Sequence, residues 1–266
     1  MVGVILLEIY EDYTYEDVLY NEPCLVKECG YIYPVSIRQL KKLNLYSMYL
    51  ILGKDHLKVD DEKLILPAII SVGFNYYIEQ GLFEKDDTKN IIAKVISDLE
   101  DLFSIISKEK VSIKDIEKLR FSNDTNTFII SPNNFDKVRQ VILKQNLLYE
   151  PKIYENEITQ KWAEKVKKAR RRKSKPISME SMINALRSDL KISYKEISEM
   201  NILQFNFDYA RMIHVQNYNK ATFYGILSSD VPNINFVEDL LEEIIKNPDD
   251  DIFKDSSSIK LNKALG

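Results

Sequence analysis

The sequence predicts a mostly α-helical protein with a minor β component, that is, an α+β fold. Seven glycines in 266 residues are too few for folds that need glycine at many fixed positions, which include Rossmann domains, P-loop enzymes, TIM barrels and glycine-cornered β-barrels. Apolar residues recur with helical spacing along most of the chain, whereas strand-like runs are short. Since 45% of the residues are hydrophobic, the chain can bury a sizeable core.

The first part of the β component should be an N-terminal hairpin. Residues 4–8 form a short apolar run, and the strand-like runs 22–28 and 31–37 flank Gly30, which can supply the positive φ of a tight turn. Pro34 cannot donate a hydrogen bond to a sheet, so the second strand should be an edge strand or a bulged one.

Three helices should follow the hairpin. Helical spacing begins at about residue 38, and Gly53 should end the first helix. The second helix, 64–80, is apolar nearly all round and is therefore expected to be buried, with Gly81 as its stop. The third helix, 86–107, has the apolar stripe of an amphipathic helix.

The next segment predicts a second hairpin and a fourth helix. Residues 118–122 and 127–130 are strand-like on either side of a polar turn. The hydroxyl of Ser131 can cap a helix whose first turn contains Pro132. This helix should run to about Leu148.

A change in composition then predicts a domain boundary. Residues 149–177 contain two prolines and almost no core-type side chains after Trp162. The end of the chain is Asp-rich and then Ser-rich, which is typical of a loose tail. The predicted organisation is an α+β domain over 1–149, a basic linker or helix over 150–176, a helical bundle over 177–247 and a flexible tail over 248–266.

The predicted bundle contains a short helix between two longer ones. Ser193 and Glu196 have the spacing of a capping box, which opens the short helix. The predicted helices are 177–190, 193–200, 201–217 and 237–246.

The order of these helices is also compatible with a helix-turn-helix. Gln204 and Asn206 would then reach bases from the first turns of the second long helix. Glu196, Glu199 and Asp208, however, would place negative charge where phosphates lie. We therefore favour a plain three-helix bundle and keep nucleic-acid binding as an alternative.

The strongest local signal is a run of basic residues. Residues 165–175 hold eight Lys or Arg and no acid, so the rest of the chain, with −4 overall, carries about −12. The run fits a solvated helix end that complements the helix dipole, a site for an acidic protein or a phosphate-backbone site; the sequence leaves all three open. The candidate partner-binding residues are Lys165, Lys167, Lys168, Arg170, Arg171, Arg172, Lys173 and Lys175, with Phe205 and Tyr209 from the aromatic-rich helix, where they would serve packing or partner contact.

No motif predicts catalysis. The sequence lacks G-x-S-x-G, H-E-x-x-H, Walker A and D-x-D-x-D-G patterns. Its two histidines, His56 and His214, are remote from each other, and Cys24 and Cys29 lack a second ligand pair at zinc spacing. We therefore predict no catalytic, cofactor or metal site and expect buried or free thiols, with their pairing left open.

Two observations concern location. No stretch approaches the roughly 18 apolar residues of a membrane span. The first residues lack the charged and then apolar pattern of a secretory signal. We expect a soluble, cytoplasmic protein with no membrane partner.

The order of three segments resembles a known protein family. They are Tyr-Ile-Tyr-Pro-Val-Ser-Ile at 31–37, Phe-Asp-Lys-Val-Arg-Gln-Val-Ile-Leu-Lys-Gln-Asn at 135–146 and Ser-Tyr-Lys-Glu-Ile-Ser-Glu-Met-Asn-Ile-Leu-Gln-Phe at 193–205, with the basic run between the last two. This order is similar to that of the chaperone-like tail-assembly proteins that tailed bacteriophages of AT-rich hosts encode near their tape-measure protein.

The resemblance implies a non-enzymatic morphogenesis protein that binds tape-measure or tail-tube protein during tail assembly. Such a protein would act in the cytoplasm of the bacterial host, and the resemblance brings no catalytic residues with it. The neighbouring alternative is a tail or baseplate component that stays in the virion. A helix-turn-helix regulator that binds nucleic acid through 165–175 is the other alternative, and self-association as a homo-oligomer is left open.

Overall fold

The chain forms two compact units. The N-terminal unit contains the described residues up to Glu150 together with Glu199–Leu203, and the C-terminal unit contains the described remainder. The predicted fold class, mostly α with minor β, is confirmed. The computed structural model describes residues 12–154, 156–173, 177–226 and 235–252, with only the backbone of 170–173 and Asp251. The strand predicted at 4–8 lies outside the described residues.

One long amphipathic helix, α5 (Thr88–Ser107), organises the N-terminal unit. It contacts α2 (Ile37–Tyr46), α4 (Ile65–Glu79) and two of the strands. Its buried side chains repeat every three or four positions, which is why the sequence predicts it closely. The helices of this unit are α1 (Tyr15–Leu19), α2 (Ile37–Tyr46), α3 (Lys54–Leu57), α4 (Ile65–Glu79), α5 (Thr88–Ser107) and α6 (Phe135–Gln145).

Two small antiparallel sheets complete the N-terminal unit. The predicted hairpin turn at Gly30 is present: its φ is +116°, and a Cβ there would collide with the carbonyl oxygen of Thr127. The amide of Ile129 donates to the carbonyl of Cys29 at 2.7 Å and so joins the two sheets. The first sheet pairs β1 (Cys24–Val26) with β2 (Gly30–Ile32), and the second has the order β3 (Val111–Asp115), β4 (Arg120–Asn123), β5 (Ile129–Ile130).

The prediction that Gly53 ends the first helix is wrong. Helix α2 ends at Tyr46, and a 3-10 turn over Ser47–Tyr49 follows. The chain turns there because Leu50 and the side chain of the preceding tyrosine are buried in the core. Gly53 instead precedes α3 in an extended conformation. Gly81, with φ +66°, does follow α4 as predicted.

An aromatic cluster joins three elements of the N-terminal unit. Phe103 of α5 lies edge-to-face against Phe121 of β4, with ring centroids 5.0 Å apart, and against Phe135 of α6 at 6.2 Å. All three side chains are fully buried. Edge-to-face contacts of this kind stabilise a core beyond the area they bury.

The C-terminal unit is helical. The predicted capping box is confirmed, since the amide of Glu196 donates to Ser193 Oγ at 3.2 Å and the amide of Ser193 donates to the Glu196 carboxylate at 2.7 Å. The helix predicted at 201–217 continues to Gly225, whereas the one predicted at 237–246 has only four residues. The helices are α7 (Glu157–Lys173), α8 (Met179–Leu190), α9 (Tyr194–Glu199), α10 (Ile202–Gly225) and α11 (Leu241–Ile244).

Residues 235–252, the C-terminal strap, pack within this unit. Arg211 of α10 donates to the carbonyl oxygens of Phe236 at 3.3 Å and Glu238 at 3.2 Å. Leu240 and Ile252 of the strap are buried. The strap therefore has apolar anchors as well as hydrogen bonds.

The first part of the predicted flexible tail, residues 248–252, is folded in the structure. Pro248–Asp251 forms a 3-10 helix, capped by Asn247, whose side chain accepts from the amide of Asp249. The reason is the burial of Ile252, which ties this end of the segment to the core. Residues 253–266 lie outside the described part of the chain.

Candidate interaction surfaces

Helix α7 carries the basic run and has two different faces. The inward face contains Ala163, which is buried, and the half-buried Val166 and Lys167. The outward face exposes Ile158, Lys161, Trp162, Lys165 and Lys168, whose spacing places them on one side of a helix.

The inward face uses one of the candidate lysines internally. Lys167 Nζ lies 2.6 Å from Asp249 of the strap, and the side chain of Asp249 is mostly buried. Next to this pair, Lys152 forms an ion pair with Asp250. The Asp-rich start of the predicted flexible tail therefore contributes two carboxylates to ion pairs within the C-terminal unit.

The structure describes the other members of the basic run to different extents. Lys165 and Lys168 are exposed on the outward face of α7. Arg170, Arg171, Arg172 and Lys173 belong to the helical backbone, but their side chains lie outside the description, as does Lys175 altogether.

The two aromatic candidates on α10 do not form an open surface. Phe205 is fully buried, so it belongs to packing, and its assignment as a partner-binding residue is corrected. Tyr209, one turn further along the helix, is half-buried. Periodicity alone could not separate packing from contact here, because both uses place aromatic residues at helical spacing.

A second aromatic surface lies at the end of α10. Phe223 and Tyr224 are 62% and 57% exposed, and their ring centroids are 5.7 Å apart. Ile226, just after the helix, is exposed as well. We call these three residues the α10 tip. In the sequence, these residues form an aromatic pair after a polar stretch. Their place on α10 becomes clear only because the helix continues past its predicted end at residue 217.

The strap positions the C-terminal half of α10. His214 Nε2 lies 2.7 Å from the carbonyl oxygen of Asn235. Tyr218 packs edge-to-face on Phe236, with ring centroids 5.1 Å apart. The half of α10 that ends at the α10 tip is thus held by contacts on its other residues, which leaves the tip itself open.

The start of α10 does not suit a recognition helix. Ile202, Leu203 and Phe205 are buried, and Gln204 and Asn206 are only partly exposed. A helix that reads the major groove presents its first turns to DNA. The geometry of this helix therefore disfavours the helix-turn-helix alternative.

A buried polar cluster in the N-terminal unit surrounds the carboxylate of Asp98 of α5. Tyr49 donates a hydrogen bond to it at 3.0 Å, Tyr77 at 2.5 Å, and the ammonium of Lys94 at 2.6 Å. Three donors on one buried carboxylate satisfy its charge. The cluster therefore joins the 3-10 turn after α2, helix α4 and helix α5 as a structural element.

We predict that this cluster makes stability fall above about pH 10. Burial, together with the negative charge of Asp98, raises the pKa of Tyr49 and of Tyr77 above the ordinary 10.0, and the hydrogen bond to Asp98 raises the pKa of Lys94 above 10.5. Each folded pKa then exceeds the unfolded one, so the folded state binds more protons in this range and loses up to about 1.4 kcal/mol per pH unit for each of the two buried tyrosines. The contribution of Lys94 is smaller, because its side chain is 47% exposed and solvent screens its interaction with Asp98.

Urea denaturation followed by circular dichroism between about pH 8 and pH 11 checks this prediction. The substitution Tyr49→Phe should make the loss of stability above about pH 10 less steep, because one titrating group is removed. Tyr20→Phe, at an exposed tyrosine of the same unit, is the control and should leave the steepness unchanged. An equal change in both variants would contradict the role of the cluster.

Both cysteines are buried and free. Burial raises the pKa of the Cys24 thiol to about 11 and that of Cys29 to about 12. Both are therefore protonated thiols at neutral pH, which are poor nucleophiles and poor metal ligands. In the described ranges, no group of three or more His, Cys, Asp or Glu side chains could hold a metal ion. No helix within those ranges is both long enough and apolar enough to span a membrane.

Comparison with known proteins gives two similarities. Residues 168–227, from the basic end of α7 through α10, match the model of the family described as YomV second domain. Over 200 residues the chain is 24% identical to the SPbeta prophage-derived uncharacterized protein YomV of Bacillus subtilis (strain 168), covering 75% of this chain and 74% of the relative. No solved structure matches. The chain is thus similar to a protein of prophage origin.

Proposed function

We propose that this protein is a non-enzymatic bacteriophage morphogenesis protein. It binds tail components, either the tape-measure protein or the tail-tube protein, during tail assembly in the host cytoplasm. The order of the segments at 31–37, 135–146 and 193–205 supports this proposal through its resemblance to tail-assembly proteins. The similarity to a prophage-derived protein supports the bacteriophage context.

The α10 tip is the observation that carries the binding role. Burying one large apolar side chain is worth about 1.5–3 kcal/mol, and the aromatic pair Phe223 and Tyr224 is left more than half exposed. Neighbouring exposed aromatic side chains are typical of the centre of a protein interface. The strap holds the preceding turns of the helix through His214 and Tyr218, so little ordering is needed when a partner binds.

Co-expression with the tape-measure and tail-tube proteins of the same phage, followed by pull-down, tests the proposal. We expect the double substitution Phe223→Ser/Tyr224→Ser to weaken capture at least about tenfold, because two interface aromatic side chains would each cost 1 kcal/mol or more. Tyr20→Ser/Tyr31→Ser is the matched control, since both tyrosines are exposed in the N-terminal unit. It should bind as well as the unchanged protein.

Failure of the unchanged protein to capture either tail protein would overturn the proposal. Equal losses of capture in the two double variants would show that the α10 tip is not the binding surface. A mass-spectrometric inventory of mature particles then separates the assembly role from the alternative of a retained tail or baseplate component. We expect the protein to be absent from finished particles, because assembly chaperones dissociate from their products.

A further inference from the structure

The outward face of α7 combines a planar aromatic side chain with a row of lysines. Trp162 is the only tryptophan in the sequence and is 60% exposed. Lys161 and Lys168 lie on the same face, and Lys165 Nζ is 5.9 Å from the centre of the tryptophan ring. These three lysines span about 10 Å of helix, because each residue adds about 1.5 Å. We call these four residues the α7 outer face.

The acidic residues of α7 do not neutralise this face. Glu157 lies 3.6 Å from Lys161, but both side chains are well exposed, and such pairs are worth little. Glu164 accepts a hydrogen bond from Gln160 at 3.0 Å. Among the described residues, Lys165 and Lys168 take part in no ion pair. Helix α7 has eight basic residues against these two acids.

We propose that the α7 outer face binds single-stranded nucleic acid. Its lysines contact phosphates along one strand, whose charges are spaced by about 3.4 Å of axial rise in a duplex. Trp162 stacks on an unpaired base between them. This function is additional to the binding of tail proteins at the α10 tip and uses none of the same residues.

The composition of the face favours a nucleic acid over an acidic protein. Lysine is depleted in protein interfaces, whereas here three lysines surround one aromatic side chain. Among the α7 side chains that the structure describes, Ile158 is the only other large apolar one exposed on this face. The opposite face of the helix already accommodates carboxylate, through Lys167 and Asp249. A single strand is favoured over a duplex because a tryptophan ring stacks only on a base that is free of its neighbours.

Titration with a fluorescein-labelled oligothymidylate of about 20 nucleotides tests the proposal on the full chain. We expect saturable binding by anisotropy in 50 mM salt and quenching of the fluorescence of Trp162 by the unlabelled oligonucleotide. With three phosphate contacts, raising the salt fourfold should weaken binding about 20-fold. Trp162→Ala should weaken binding about 5- to 150-fold, since it removes one stacked base.

Charge reversal provides the matched comparison. Lys165→Glu/Lys168→Glu should weaken binding more than about tenfold, because two phosphate contacts become repulsive. Lys195→Glu/Lys220→Glu changes the net charge of the same unit equally, at exposed lysines of α9 and α10, and should weaken binding by less than about threefold. Circular dichroism establishes that each variant retains its helix content.

Four outcomes would overturn the proposal. They are the absence of saturable binding in 50 mM salt, equal losses in the two charge-reversal variants, unchanged binding by Trp162→Ala, and tighter binding of poly-L-glutamate than of the oligonucleotide. The last would assign the face to an acidic polypeptide. None of these outcomes affects the pull-down of tail proteins through the α10 tip, so the two proposals fail independently.

Discussion

Replacing Asp98 with alanine should lower the free energy of unfolding of the N-terminal unit by about 3–5 kcal/mol. Its carboxylate accepts hydrogen bonds from Tyr49 at 3.0 Å, Tyr77 at 2.5 Å and Lys94 at 2.6 Å. The substitution would remove the acceptor that two buried hydroxyl groups share, and a buried hydroxyl group left unsatisfied costs about 1–3 kcal/mol. It would also leave the ammonium of Lys94 without its partner carboxylate.

Asp101 provides the control on the same helix. It also accepts from a tyrosine and a lysine, with Tyr46 at 2.8 Å and Lys42 at 3.2 Å. Its side chain, however, is 48% exposed, so water can replace the lost partner and Asp101→Ala should cost less than about 1 kcal/mol.

Hydrogen exchange of peptides from α5, together with urea denaturation, measures the difference between the two variants. Exchange is needed because the chain has two compact units, and a single denaturation curve does not say which unit has unfolded. Similar losses in Asp98→Ala and Asp101→Ala would contradict the argument from burial.

The helices that the sequence predicts well are long ones with many apolar residues at helical spacing, and they include α4, predicted at 64–80 and observed at Ile65–Glu79. Helix α5 was predicted at 86–107 and is observed at Thr88–Ser107, since its apolar stripe determines its ends. Strand β3 was not predicted because its apolar and polar residues alternate over only four positions, 111–114, and the strand depends on pairing with β4. The predicted helix at 237–246 was reduced to α11 because this segment is held by contacts with α10 rather than by its own periodicity.

The basic run shows a similar division. Its existence and its helical character could be predicted from the sequence alone, because charge and spacing are local properties. Which of its lysines are used inside the unit and which stay exposed could not be predicted, since Lys167 pairs with Asp249, 82 residues further along the chain. The exposure of Trp162 could not be predicted either, because it depends on which side of the helix packs against the rest of the unit. Long-range pairing decided which candidate residues remain available to a partner.

The second large effect that we predict separates two phenylalanines of one helix. Phe205→Ala should lower the free energy of unfolding of the C-terminal unit by about 3–5 kcal/mol, because Phe205 is fully buried and its removal loses the transfer free energy and leaves a cavity. Phe223→Ala, on the same helix and with the side chain 62% exposed, should change stability by no more than about 0.5 kcal/mol.

Hydrogen exchange of peptides from α8 and from the second half of α10 measures both changes in the unit concerned. The pair is informative because the proposed function reverses the importance of the two residues. Phe205 matters more for stability, whereas Phe223 should matter more for binding of the tail protein. Phe223→Ala should weaken capture of the tail protein while leaving exchange unchanged, because the side chain it removes contacts the partner and not the core. A stability loss at Phe223 as large as the loss at Phe205 would show that the α10 tip is part of the folded core, and a neutral Phe205→Ala would remove that residue from the core.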